Sequence, residues 1–191
     1  MQPATTRESY HHGNLRATLI DTAMEMLEDG EAFSLRAVAR RAGVSQTAPY
    51  RHFADREALE SALAVQGFRD LKQSLIEVHG LPTTPDQVAD LAVAYVDFAL
   101  RRPALFKLMF GNACDPTDAE RVRASDELHE LVAAALTSVV PDADPALATA
   151  GWGLAHGLAF LHLDGKLAAD DIAQVHDRVR SAFSAVFANR T

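Results

Sequence analysis

From Leu15 to Phe187 apolar residues recur every three or four positions, and no stretch shows the sustained period-two alternation with β-branched residues that a strand requires. That periodicity predicts an all-α fold. Glycines, prolines and short polar residues cut it into about nine helices. The first is expected from an Asn14 cap to Gly30, with Leu15, Leu19, Ala23, Met26 and Leu27 inward. The second opens at Ser34, buries Leu35, Val38, Ala39 and Ala42, and stops at Gly43. Ser45 then caps a short third helix to about His52, and Asp55 caps a long fourth helix to about Val78, with Glu57 and Glu60 in its early turns where the helix dipole favours acids. Further helices are expected over about 85–101, 104–110, 117–140, 146–163 and 170–188. The boundary between two domains, 1–58 and 59–191, is placed inside the fourth helix.

A chain of 191 residues that is 48% hydrophobic suffices for one or two small domains. Its single cysteine, Cys114, excludes an internal disulfide. The stretch Met1 to Tyr10 is polar and no apolar segment follows, so a cytoplasmic protein is expected. The longest uncharged run, Ala146 to Leu163, approaches the length of a membrane span. Gly151, Gly153, Gly157, His156 and His162 within it favour a buried helix of a soluble bundle. No glycine-rich phosphate loop, HExxH or GxSxG motif is present, so no enzyme and no cofactor are expected. His79, His129, His156, His162 and His176 make no obvious metal set. His156 and His162, six apart, fall on different helix faces, and each histidine is read as helical with a local partner.

The net charge of -8 argues against a nucleic-acid partner until its distribution is considered. Residues 1–56 carry seven cations and seven acids, whereas 57–191 carry eleven cations against nineteen acids. Within 34–56 stand Arg36, Arg40, Arg41, Arg51 and Arg56 with one acid, Asp55. A local basic patch on an acidic body suits a modular DNA binder, because only the docking face must meet phosphate.

A helix-turn-helix needs two short amphipathic helices, a tight turn and a third helix to lock them. Gly43 supplies the turn and Val44 the small apolar plug beside it. Gln46 and Thr47 then fall at the start of the second helix, where side chains reach base edges in the major groove. Ser34, Arg36, Tyr50, His52 and Arg56 supply a hydroxyl, an aromatic ring and cations for the phosphate rim, and Ser45, the cap of the third helix, is counted with them among the DNA-binding residues. Arg40 and Arg41 are read as solvated surface. A half-buried core position is the alternative for Tyr50, and a disordered tail the alternative to a minor-groove arm for Arg7.

The run Ser34 to Ser45, followed by Ala48-Pro49-Tyr50-Arg51-His52-Phe53-Ala54-Asp55-Arg56-Glu57-Ala58-Leu59, resembles the tetracycline-repressor (TetR) family over more than twenty positions. The resemblance implies that Ser34, Tyr50 and Arg56 bind phosphate, that Gln46 and Thr47 read bases, and that Val38, Phe53 and Leu59 are core. Arg56 stands where the family usually has lysine, and Pro49 where it has leucine or valine. The proline removes a backbone bond and predicts a tight or distorted third helix. Trp152-Gly153-Leu154-Ala155-His156-Gly157 resembles the Trp-His-Gly signature of one subfamily, and Tyr10-His11-His12-Gly13-Asn14-Leu15 resembles the start of its members.

The resemblance further implies a C-terminal ligand-binding and dimerisation domain. Aromatic and apolar pocket candidates are Phe68, Tyr95, Phe98, Phe106, Met109, Phe110, Trp152 and Phe160, with plain core as the alternative. Few cations lie in this domain, which favours a neutral, largely apolar effector. Ile172, Val175, Val179, Ala182, Phe183 and Val186 form a stripe expected to pair with a second copy, with the glycine-bearing helix before it, in a four-helix bundle; intrachain core is the alternative. The function expected is a ligand-responsive transcriptional regulator, a repressor binding a palindromic operator as a homodimer. The alternatives are a helical small-molecule-binding protein or enzyme that has lost DNA binding, and a helical interaction protein without a pocket.

Overall fold

A computed structural model describes residues 15–32, 34–111, 115–140, 142 and 144–187. The expected cap at Asn14, the Tyr10–Asn14 segment, Arg7 and Cys114 lie outside these. The described residues form eight α-helices and one 3-10 turn, with no strand among them. The α-helices are α1 (Leu15–Glu28), α2 (Leu35–Arg41), α3 (Arg56–His79), α4 (Pro85–Arg101), α5 (Pro103–Gly111), α6 (Ala119–Val139), α7 (Ala146–Leu163) and α8 (Ile172–Phe187). Residues through Leu63 form one compact unit and those from Ala64 a second, so the division falls inside α3.

Side-chain caps set several helix starts. Ser34 Oγ accepts the amide of Ala37 at 3.2 Å, and Asp55 Oδ1 accepts that of Ala58 at 2.8 Å. Thr84 caps α4, accepting from Gln87 at 3.3 Å. The start of α6 moves from Thr117 to Ala119, because Asp118 is the cap and accepts from Arg121 at 3.1 Å. Likewise α8 starts at Ile172, with Asp171 accepting the amide of Gln174 at 2.9 Å.

In the first unit Leu19, Ala23, Leu35, Val38, Ala39, Phe53 and Leu59 are almost fully buried. Gly43, at φ +69°, turns the chain after α2 in a conformation that costs a residue with a Cβ. The third helix expected from Ser45 to about His52 is corrected to a 3-10 turn, Pro49–Arg51. Proline has no amide to donate to Ser45, so the chain tightens into i→i−3 bonds: Ala48 to Ser45 at 3.0 Å, Arg51 to Ala48 at 3.2 Å, His52 to Pro49 at 2.9 Å. The buried Pro49 ring anchors this turn from below.

In the second unit α4 is central. Nine of its residues are buried, and it packs against α5, α6, α7 and α8. Polar contacts pin its rim: Arg102 to Asp70 at 2.6 Å, His176 to Asp97 at 2.7 Å, and Asp90 to both His79 and Arg180 at 3.1 Å. By length and mean hydropathy α7 could cross a membrane. One of its faces (Leu147, Gly151, Ala155, Leu158, Ala159) is nevertheless buried in this unit.

Candidate functional site

The first unit presents one continuous polar surface around the 3-10 turn. Ser34, Arg36, Ser45, Gln46, Thr47, Tyr50, His52 and Arg56 are all exposed. Their backbones are held from inside by Leu35, Val38, Pro49 and Phe53, each at most 4% exposed or fully buried. Tyr50 is 49% exposed, so about half of its surface is open to a partner. Ser34 accepts a bond as the α2 cap, and an accepting hydroxyl keeps its proton to donate outward. Ser45 Oγ lies 3.3 Å from Thr47 Oγ1 ahead of the turn. Arg56 Nε donates to Glu60 at 2.7 Å, which holds the guanidinium along the first turn of α3.

The arginines of this region divide. Arg41 donates to Glu31 at 2.8 Å and Asp29 at 3.1 Å, with Glu25 at 3.9 Å. These bonds, the one to Glu31 foremost, push its pKa above the ordinary arginine value. Three acids occupy Arg41 as a tie between α1 and α2; Arg36, Arg40 and Arg51 are, like it, exposed.

The second unit holds a cavity of about 40 Å³, lined by apolar side chains of α3, α4, α6, α7 and α8, among them Leu75, Leu91, Val132, Leu136 and Phe183. Of the sequence-derived pocket candidates, Tyr95 and Trp152 line it. Phe68, Phe106, Phe110 and Phe160 form a ring cluster behind the wall, joined to it through Tyr95: Phe68 meets Phe110 edge-on at 5.3 Å, Phe106 lies 4.8 Å from Phe110 and 5.5 Å from Phe160, and Tyr95 meets Phe106 edge-on at 5.6 Å. Met109 packs against Gly67, and Phe98 beneath the Arg102 guanidinium.

At one end of the cavity stands a polar group that sequence reasoning left unassigned. Trp152 Nε1 donates to Tyr95 Oη at 3.3 Å, and Tyr95 Oη lies 2.9 Å from His156 Nδ1. The signal was the spacing of Trp152 and His156, four apart and hence on one helix face. His129 stands edge-on to the Trp152 ring at 4.4 Å. Burial pushes the Tyr95 pKa up and the His156 pKa down, so both are neutral at pH 7. Among the described residues no group of three potential metal ligands occurs.

The expected dimer stripe on α8 divides. Val175, Val179 and Phe183 are at most 5% exposed in the single chain and pack inward, so the alternative of intrachain core is what the structure holds for them. The spacing was correct for a buried stripe, but α4 of the same chain covers it. Ile172 is 51% and Val186 39% exposed, and Ala182 is half-buried.

Residues 19–63 match the family model for bacterial regulatory proteins of the tetR family, and residues 88–183 match the tetracyclin repressor-like C-terminal domain. A structure of a protein of unknown function from Rhodococcus sp. RHA1 is 32% identical, with a TM-score of 0.78 over 94% of this chain and 98% of that one. A TetR/AcrR-family regulator from Thermobifida fusca shares the fold at 18% identity, with a TM-score of 0.69 over 92% and 99% of the two chains. An uncharacterized HTH-type transcriptional regulator of Haemophilus influenzae is 27% identical over 121 residues, 61% of this chain and 59% of that protein. The exposed polar surface around the turn after α2 and the two family matches lead to one conclusion: this chain belongs to the TetR family of regulatory proteins.

Proposed function

We propose that the chain is a ligand-responsive transcriptional regulator, a repressor that binds a palindromic operator as a homodimer in the cytoplasm. The observation that carries this reading is the exposed surface from Ser34 to Arg56, where eight polar side chains stand around the turn on a buried base. Gln46 and Thr47 are the base readers in this reading, and Ser34, Arg36, Tyr50 and Arg56 the phosphate contacts. The intact surface disfavours the alternative of a small-molecule protein or enzyme that has lost DNA binding.

The dimer is assigned to the outer face of α7. Ala146, Ala150, Gly153 and Leu161 are exposed there, and Leu154 and Gly157 half-exposed, on one helical row with no charge. Small residues let a second helix approach closely, and an uncharged face of this length favours burial against a copy of itself. The apolar cavity is assigned to the effector, whose preference for one state would shift the population that binds DNA.

Selection of bound fragments from random duplex DNA by the ligand-free protein tests the reading. Enrichment of a two-fold symmetric site, with affinity that falls steeply with salt, is the expected result. Recovery of no specific duplex at low salt would refute it.

A further inference from the structure

This inference deepens the effector assignment and rests on it. We propose that the cavity takes an uncharged, largely apolar molecule bearing one hydrogen-bonding oxygen, a carbonyl or hydroxyl, and that His129 binds that oxygen beside the Trp152–Tyr95–His156 chain.

The argument begins with the wall. Among the described residues none of the side chains lining the cavity carries a charge, and most are aliphatic. A carboxylate, phosphate or ammonium entering it would lose its water and meet no counter-ion. At about 40 Å³ the free space is room for a few waters. A ligand must therefore displace flexible side chains such as Leu75 and Leu136, which an apolar body does without leaving polar groups unpaired.

The polar end follows from the hydrogen bonds. The indole N–H of Trp152 already donates to Tyr95 Oη. The Tyr95 hydroxyl also lies 2.9 Å from His156 Nδ1, and the histidine tautomer sets which of the two donates. These two bonds engage Trp152 Nε1, Tyr95 Oη and His156 Nδ1, and Phe106, Phe110 and Phe160 surround the His156 ring. His129 is different. Its Nε2 is buried without a hydrogen-bond partner among the described residues, and its ring contacts the Trp152 that lines the cavity. On α6 it lies three and seven residues before Val132 and Leu136, two lining residues, so it stands on their face. An imidazole nitrogen can hydrogen-bond a hydroxyl or a carbonyl of a ligand.

The test uses the full chain and its single tryptophan, whose indole N–H gives one side-chain signal in a ¹H–¹⁵N spectrum. Three ring probes are titrated: cyclohexanone, methylcyclohexane and cyclohexanecarboxylate. The first two are expected to move the Trp152 signal, with the carboxylate at least about tenfold weaker than the ketone. His129→Leu is expected to weaken cyclohexanone about five- to tenfold and to leave methylcyclohexane unchanged. His129→Met replaces it should circular dichroism show that the leucine variant is unfolded. A carboxylate as tight as the ketone, equal losses for both neutral probes, or no movement of the signal by any probe up to its solubility overturns the proposal. Operator affinity at saturating cyclohexanone is read separately. If the signal moves with the stated His129 dependence while operator affinity is unchanged, the site stands and only the effector reading fails.

Discussion

Gly151 of α7 and Leu136 of α6 approach so closely that a methyl group on Gly151 would stand 2.8 Å from Leu136 Cδ1. Alanine at 151 would also meet the Phe187 ring at 3.2 Å. A helical Gly→Ala change otherwise stabilises by about 0.5–1 kcal/mol. Leu136 borders the cavity and has that space to move into. Gly151→Ala is therefore expected to change stability by less than about 1 kcal/mol while closing the cavity. Thermal unfolding would show little change, and methylcyclohexane would no longer perturb the Trp152 signal.

Two acidic substitutions separate intrachain core from subunit interface. Val179 is fully buried within one chain, so Val179→Asp should cost more than about 3 kcal/mol and unfold the second unit. A Cβ at Gly153 meets nothing within 4 Å, so Gly153→Glu should leave the monomer folded. At a symmetric interface that charge would meet its own copy, so the variant should sediment as a monomer. A folded, dimeric Gly153→Glu protein would remove α7 from the interface.

The arginines should split by partner. Arg41→Ala breaks bonds to three exposed acids, should change stability little and should leave DNA affinity nearly unchanged. Arg36→Ala should lower affinity for all sequences and reduce the salt slope by about 1. Tyr50→Ala should also weaken binding uniformly. Gln46→Ala should instead relax preference at one operator position, at a cost of about 1–3 kcal/mol. Titrations at several salt concentrations, on operator and random duplex, distinguish these outcomes.

Stability should fall on mild acidification. Burial pushes the pKa of His156 down, and burial followed by the nearby Arg178 does the same for His162. The unfolded chain therefore binds more protons, and stability is lost as pH drops below the unfolded histidine value of about 6.5. His156 is enclosed by the uncharged rings of Tyr95, Phe106, Phe110, Trp152 and Phe160, with no acid to favour its cation. His156→Phe should show a smaller loss of melting temperature between pH 7.5 and 5.5 than the parent chain.

The helices were legible because their signals are local. Gly43, Ser34, Asp55 and Pro85 act within one turn of themselves, and α4 and α7 begin and end where the pattern places them. The 3-10 turn was legible only as a distortion at Pro49. How much helix survives depends on which carbonyls the remaining amides find. Long-range pairing was not legible at all. The α8 stripe reads the same whether α4 or a second copy covers it, and periodicity reports burial without naming the cover. The eight pocket candidates, seven aromatic and one methionine, likewise share one apolar pattern. Only the packing around Tyr95 and Trp152 separates wall from core.

The charge-free wall of the cavity sets what the protein can ignore. Most small metabolites carry phosphate, carboxylate or ammonium groups, and each would have to shed its hydration to enter. A sensor with such a wall, as proposed above, would need no contact that rejects them. It would listen to a minority of molecules because the majority are held outside by their own affinity for water.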